Sequence, residues 1–235
     1  MMLKIESLQV KYGDFVAVSD ASLEIAGGQI AALIGGNGTG KTSLLNSVAG
    51  LLPPSGGRVV FDETDITAMP PDQIVQRGLS LVPQGGRCFL RMSVLDNLLV
   101  GSYPAKARRN AKHSMEQVFS LFPALSEKRN ALAGTLSGGH RQMLAIGRAL
   151  MAEPKCLMFD EVSLGLAPVA INDLYARILR INREEGISVI LVEQDTERVM
   201  QISDVFFVML KGRVVLSGKR DGINKETIKK AYFGI

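Results

Sequence analysis

Short apolar runs divided by glycine, with a longer block of helical spacing between them, partition this chain. Leu3-Lys4-Ile5 and Val16-Ala17-Val18 are alternating or β-rich and predict strands, interrupted at Gly13-Asp14 and Gly27-Gly28. Gln29 to Ile34 suits a strand buried on both faces, and Lys41 to Ala49 predicts a helix ended by Gly50. After the turn cluster Pro53-Pro54-Ser55-Gly56-Gly57, strands are expected at Arg58 to Phe61 and at Leu79 to Val82, the second stopping at Pro83. From Ser93 to Ala152 the spacing becomes helical, punctuated by Pro104, Pro123 and Gly134. Strands resume at Leu157-Met158-Phe159, at Val189 to Val192 and at Val205 to Met209. Helices are expected between them at Val169 to Glu184 and Thr196 to Gln201, and a short one at the end, Lys225 to Ile235.

Strands alternating with helices predict an α/β fold with a mainly parallel core sheet, an antiparallel β region at the N-terminus and an inserted helical lobe. The expected organisation is one domain over 1–235, with an α/β core from 1–88 and 153–235 and the helical lobe from 89–152. A chain of 235 residues can bury a sizeable interior without staples. Its two cysteines, Cys88 and Cys156, form neither a disulfide framework nor a zinc pattern, which fits a reducing compartment.

The start, Met1-Met2-Leu3-Lys4, has no signal-peptide pattern, and no apolar stretch approaches the ~20 residues that span a bilayer. A membrane role would therefore come through a partner. The net charge of +4 is modest, and the densest basic stretch, Lys106 to His113, lies on an expected helix without interleaved aromatics. It reads as a solvated helix face rather than a nucleic-acid footprint.

Chemistry enters with Gly35-Gly36-Asn37-Gly38-Thr39-Gly40-Lys41-Thr42, followed by Ser43, which fits the phosphate-binding P-loop in its strand, loop, helix setting. Glycines let successive N–H groups turn toward phosphates at a helix N-terminus; Lys41 adds charge, and Thr42 offers a hydroxyl to Mg²⁺. Asp160-Glu161 ends an apolar strand, at the edge where ligands of α/β sheets gather. One carboxylate can help hold hydrated Mg²⁺ while the other activates water; the bland alternative is an acidic helix cap. Leu136-Ser137-Gly138-Gly139 opens a helical segment as a second possible anion site.

Together with Gln84 in Val82-Pro83-Gln84, these motifs resemble the ATP-binding cassette ATPases, and the resemblance spans essentially the whole chain. It implies a P-loop NTPase fold, with ATP and Mg²⁺ as nucleotide and metal. Tyr12 would stack on adenine, Thr42, Gln84 and Asp160 would hold the metal, and Glu161 would be the general base beside Lys41 and Gln194. Leu136, Ser137, Gly138 and Gly139 would close over ATP held by a second ATPase subunit, identical or a sister, so that a monomer is catalytically incomplete. TLSGGHRQMLAIGRALM, SLGLAP and LVEQ are similar to the ATPase subunits of bacterial branched-chain amino acid uptake systems, whose branch also serves urea, amides and other small solutes. This implies a peripheral protein on the cytoplasmic face of the cell membrane, working with integral permease subunits and, indirectly, an extracytoplasmic solute-binding protein, with no nucleic acid.

Several positions depart from the broad family pattern. Gln194 stands where a switch histidine is usual, Ala167 where an aspartate ends the D-loop, and Val162 where proline follows the glutamate. Gln194 and Ala167 look typical of the branched-chain subgroup, whereas His140 stands where glutamine or glutamate is more usual and Asp195 where that subgroup often has asparagine. An amide at 194 has no protonation change between pH 5 and 8, so no titration of hydrolysis is expected from this position. Tyr12 could instead be a turn aromatic, and Gln84 a loop hydrogen-bonder rather than a metal-sensing joint. Phe89 to Met92 could be a docking surface or core. A soluble cassette ATPase acting in DNA repair, translation or iron–sulfur assembly shares the motifs, whereas a P-loop kinase or switch GTPase would leave Leu136 to Gly139 without a purpose.

Overall fold

The computed structural model describes residues 2–223 and 225–233. Its ten-stranded sheet grows from two local patterns. In the first, β1 (Leu3–Tyr12) turns at Gly13-Asp14 into β2 (Phe15–Ile25), and the pair runs antiparallel from Leu3 opposite Ile25 to Tyr12 opposite Phe15. β4 (Gly56–Phe61) adds antiparallel to β1, and the two-residue β5 (Thr64–Asp65) adds to β4.

In the second pattern, continuous apolar runs form β3 (Ile30–Ile34), β6 (Leu79–Val82), β7 (Cys156–Asp160), β8 (Ser188–Glu193) and β9 (Val205–Leu210), all paired in parallel. β3 is central, with β9 on one side and β8, β7 and β6 on the other. Such runs are buried on both faces of a parallel sheet. Alternation decides the faces: Ile30, Ala32 and Ile34 join one apolar cluster, Ala31 and Leu33 the other. Against the second cluster pack Leu44, Leu45 and Val48 of α1 (Lys41–Val48) and Ile74 of α2 (Pro71–Gln76).

The first cluster draws on the helices α3 (Val94–Gly101), α5 (Ala111–Leu121), α6 (Pro123–Glu127) and α7 (Gly138–Leu150), while the short α4 (Ala105–Arg109) between α3 and α5 contributes no residue to it; α3, α5 and α6 contact α7. It also receives α8 (Pro168–Glu185), which starts on a proline and stops at Gly186 in the left-handed region (φ 67°). Proline at the first turn and glycine past the last are the expected helix boundaries. α9 (Thr196–Ile202) and α10 (Lys225–Phe233) follow, so the expected terminal helix is present, while Gly234 and Ile235 lie outside the described residues.

Three elements went unpredicted: β5, α2, and β10 (Arg213–Lys219), which pairs antiparallel with β9 and parallel with β2 at the register position Arg213 opposite Asp20. The basic stretch does not form one helix, because the chain breaks at Asn110 between α4 and α5; Lys106 on it is solvated, with 85 % side-chain exposure. Among the described residues no helix is long and apolar enough to cross a membrane.

Candidate active site

β3 delivers the glycine loop to the carboxyl edge of the parallel sheet. Two of its glycines are forced by close approach: a Cβ on Gly35 would lie 2.5 Å from the Met209 carbonyl oxygen, and one on Gly40 would lie 2.4 Å from that of Ala17. Gly40 also takes a φ of 102° and leaves the first turn of α1 without a side-chain cap. The amides there remain available to an anion. Thr39 closes the loop, its hydroxyl donating to the Gly36 carbonyl at 2.9 Å. Lys41 is buried. Its Nζ donates to the carbonyls of Gly35 (2.8 Å) and Gly36 (2.9 Å) and forms an ion pair with Glu161 Oε1 at 3.2 Å.

Asp160, the last residue of β7, accepts a 3.1 Å hydrogen bond from the Thr42 hydroxyl. Burial pushes its pKa up, the Thr42 hydrogen bond pulls it down, and the neighbouring Glu161 charge raises it again. Glu161 follows with a φ of 46°, a region that costs a non-glycine residue about 1–2 kcal/mol and concentrates at functional sites. Three bonds hold it there: its N–H donates to the Val192 carbonyl at 2.9 Å, Lys41 meets Oε1, and Gln194 Nε2 donates to Oε2 at 2.8 Å. Gln84 and Arg87 share with Thr42 and Asp160 a cavity of about 330 Å³. Hydroxyl, carboxylate and amide make an all-oxygen donor set, suited to a hard divalent cation that keeps much of its own water. Tyr12, half exposed at the end of β1, brings its hydroxyl to 3.4 Å from that of Ser43 in the first turn of α1.

The Leu136-to-Gly139 turn lies at the start of α7, and no hydrogen bond among the described residues joins it to the glycine loop. Leu136 is buried; Ser137 and Gly138 are exposed. Ser137 caps the helix, its Oγ accepting from the His140 N–H at 3.3 Å and lying 2.9 Å from His140 Nδ1. A Cβ on Gly138 would approach nothing nearer than Leu166 at 3.9 Å, and one on Gly139 nothing nearer than Ala170 at 3.7 Å. The segment after Gln84 is fastened to the same helix. Gly86 lies so close that an added Cβ would meet the Gln142 nitrogen at 3.0 Å, and Cys88 Sγ lies 3.3 Å from the Arg141 carbonyl. Phe89 and Leu90, just beyond, are about half exposed and are not core.

A family model described as ABC transporter matches residues 18–163. The chain belongs to this family. It is 36 % identical, over 99 % of its length and all of the relative's, to the high-affinity branched-chain amino acid transport ATP-binding protein BraG of Pseudomonas aeruginosa. The probable branched-chain amino acid transport ATP-binding protein LivF of Archaeoglobus fulgidus is 32 % identical over 100 % of this chain and 99 % of its own. The lipopolysaccharide export system ATP-binding protein LptB of Haemophilus influenzae is 30 % identical over 99 % and 97 %. The ADP conformation of an ATP-binding cassette of an ABC transporter superposes with a TM-score of 0.84 at 28 % identity, over 97 % of this chain and 93 % of that one. The chain is thus a cassette ATPase.

Sequence reasoning did not foresee several contacts of this cassette. Asp195 is an N-cap, its Oδ1 accepting from the N–H groups of Glu197 (3.1 Å) and Arg198 (3.3 Å) at the start of α9. A serine, threonine, asparagine or aspartate before a helical run is the signal that could have found it. Arg87 beside Asp160 and the pairing of Ser163 with Glu193 left no local signal, because both bring together residues far apart in sequence.

Proposed function

We propose that this chain is the ATP-hydrolysing subunit of an importer for branched-chain amino acids, bound to the cytoplasmic face of permease subunits that an extracytoplasmic binding protein supplies. The solute rests on similarity to BraG and LivF. The glycine loop and the α1 amides cradle the triphosphate, and Tyr12 stacks on adenine. Lys41 has three N–H donors; loop carbonyls take two, and a phosphate oxygen competes with Glu161 for the third. Thr42, Asp160 and Gln84 would hold Mg²⁺, which neutralises charge on the phosphate oxygens when bound. Glu161 takes the proton of the attacking water, and Gln194 holds the Glu161 carboxylate in place through Oε2.

The single observation that carries a two-subunit mechanism is the freedom around Gly138 and Gly139. Neither has a positive φ or a crowded Cβ position, so this chain has no internal need for glycine at the start of α7. Close approach of something outside the chain accounts for it, and Leu136 to Gly139 then close over ATP held by a second ATPase subunit, identical or a sister. The segment linking Gln84 to α7 joins the nucleotide edge to the helices, and the exposed Phe89 and Leu90 beside it offer the permease an apolar contact.

Glu161→Gln tests the base. Turnover is expected to fall by about a hundredfold or more while ATP binding persists; undiminished turnover removes Glu161 from that role. Identifying the membrane proteins that copurify with the chain, and the solute whose uptake fails in their absence, tests the transport assignment. Partners of lipopolysaccharide export or a ribosome in place of an amino acid permease would overturn it.

A further inference from the structure

Glu193, the last residue of β8, has no part in the handling of ATP described above, yet it is a carboxylate only 3 % exposed. A buried carboxylate is costly unless it is hydrogen-bonded. Its partner comes from the turn that follows β7: the Ser163 hydroxyl donates to Oε2 at 2.9 Å and the Ser163 N–H to Oε1 at 3.3 Å. Burial raises the Glu193 pKa above the ordinary carboxylate value, Ser163 and the Tyr175 hydroxyl work against that shift, and the nearby Glu161 charge adds to it.

The positions of these two residues give the contact its interest. Ser163 lies two residues beyond Glu161, and Glu193 immediately precedes Gln194. The ends of β7 and β8 are therefore clasped twice, Glu161 to Gln194 at 2.8 Å and Ser163 to Glu193 at 2.9 Å, with the Glu161 N–H on the Val192 carbonyl alongside. On its other side Glu193 is in register with Ile34, the residue before the glycine loop. Past Ser163 the chain comes to the surface, with Leu164 at 58 % and Val169 at 82 % exposure, and Leu166 stands 3.9 Å from where a Gly138 Cβ would be.

We propose that Glu193 is a positioning residue: by holding Ser163 it couples the exposed 164–169 segment to the Glu161–Gln194 pair, so that contact with a second cassette sets the hydrolytic geometry. This rests on the two-subunit ATPase proposed above. A serine hydroxyl and amide converging on one buried carboxyl group form a stiff link, because the two hydrogen bonds fix Ser163 against the end of β8 and a buried acceptor is costly to leave unpaired.

The test is steady-state ATP hydrolysis by the full chain carrying Glu193→Ala, Glu193→Gln, Ser163→Ala or the Glu193→Ala/Ser163→Ala pair, with melting temperatures beside it. Glu193→Ala is expected to lower kcat about tenfold or more while KM for ATP stays within about twofold. Glu193→Gln, whose amide oxygen still accepts from Ser163, is expected to recover kcat to within about threefold of the native enzyme. The double variant should be no slower than Glu193→Ala alone. A native kcat in Glu193→Ala, a folded Glu193→Gln as slow as Glu193→Ala, or losses that multiply in the double variant would each overturn the coupling. If Glu193→Ala does not fold, Ser163→Ala decides: a tenfold loss of kcat supports the link, and a native kcat sinks it. Failure of the native chain itself to hydrolyse ATP overturns the proposed function, and this inference with it, whereas an active native chain beside an equally active Glu193→Ala overturns the inference alone.

Discussion

At the scale of single residues, glycines separate what this chain needs for itself from what it offers to others. Gly40 is locked by its φ of 102° and by the Ala17 carbonyl 2.4 Å from any added Cβ. Gly40→Ala is expected to destabilise the protein by about 3 kcal/mol through backbone strain and overpacking, visible in urea unfolding as well as in lost ATP binding. Gly138 and Gly139 have room, and alanine favours a helix over glycine by up to about 1 kcal/mol. Gly139→Ala should therefore melt no lower than the native chain, yet lose ATP-driven pairing in sedimentation; a variant that both melts early and pairs normally contradicts this assignment. The sequence made the P-loop glycines, Lys41, Thr42, Asp160 and Glu161 legible because each sits in a contiguous motif whose backbone setting is local. It could not show that Lys41 reaches across to Glu161, or that Glu161 adopts a left-handed backbone, since both depend on β7 lying two strands from β3.

At the scale of elements, continuous apolar strands were the easiest to foresee and short or half-exposed ones the hardest. Each parallel strand is a run of apolar residues that no helix of comparable length would need, whereas β10 has an alternating half-buried pattern and β5 has only two residues. β5 exists because Asp65 organises the turn around it. Its Oδ1 accepts from the Thr67 hydroxyl at 2.6 Å and the Thr67 N–H at 3.0 Å, and Arg58 donates to Oδ2 at 2.7 Å. The Thr67 bonds, and then Arg58, lower the Asp65 pKa to about 2. A depressed carboxylate contributes stability that is complete above its unfolded pKa of about 3.9 and fades as pH falls through the folded value, here between about pH 4 and pH 2. Because the side chain is about half exposed, screening limits the contribution to below about 1 kcal/mol. Native and Asp65→Ala proteins should accordingly differ more in urea midpoint at pH 5.5 than at pH 2.5; a gap that is constant with pH would remove the carboxylate charge as its cause.

At the scale of the whole molecule, the glycine loop and the Leu136-to-Gly139 turn open two different helices, α1 and α7. The glycine loop emerges at the carboxyl edge of β3, while among the described residues the Ser137 turn at the start of α7 bonds to His140, to Ala133 just before it and, through the Leu136 carbonyl, to Arg141 at 2.6 Å. On the two-subunit reading proposed above, the Leu136-to-Gly139 turn serves as a lid over the glycine loop of a second subunit, and two copies or two sisters complete each other. Turnover per subunit should then rise with protein concentration and level off once pairing is complete, and Ser137→Ala should lower the plateau without weakening ATP binding to the monomer. Mixing resolves the geometry further. A subunit disabled by Glu161→Gln but with an intact Ser137 turn, combined with a Ser137→Ala subunit whose own Glu161 is intact, should regain activity, because one hybrid site then holds an intact base under an intact lid. No gain on mixing, with both variants folded and shown to pair, would mean that lid and cradle act within one chain, and the arrangement of α7 relative to β3 would then need another purpose.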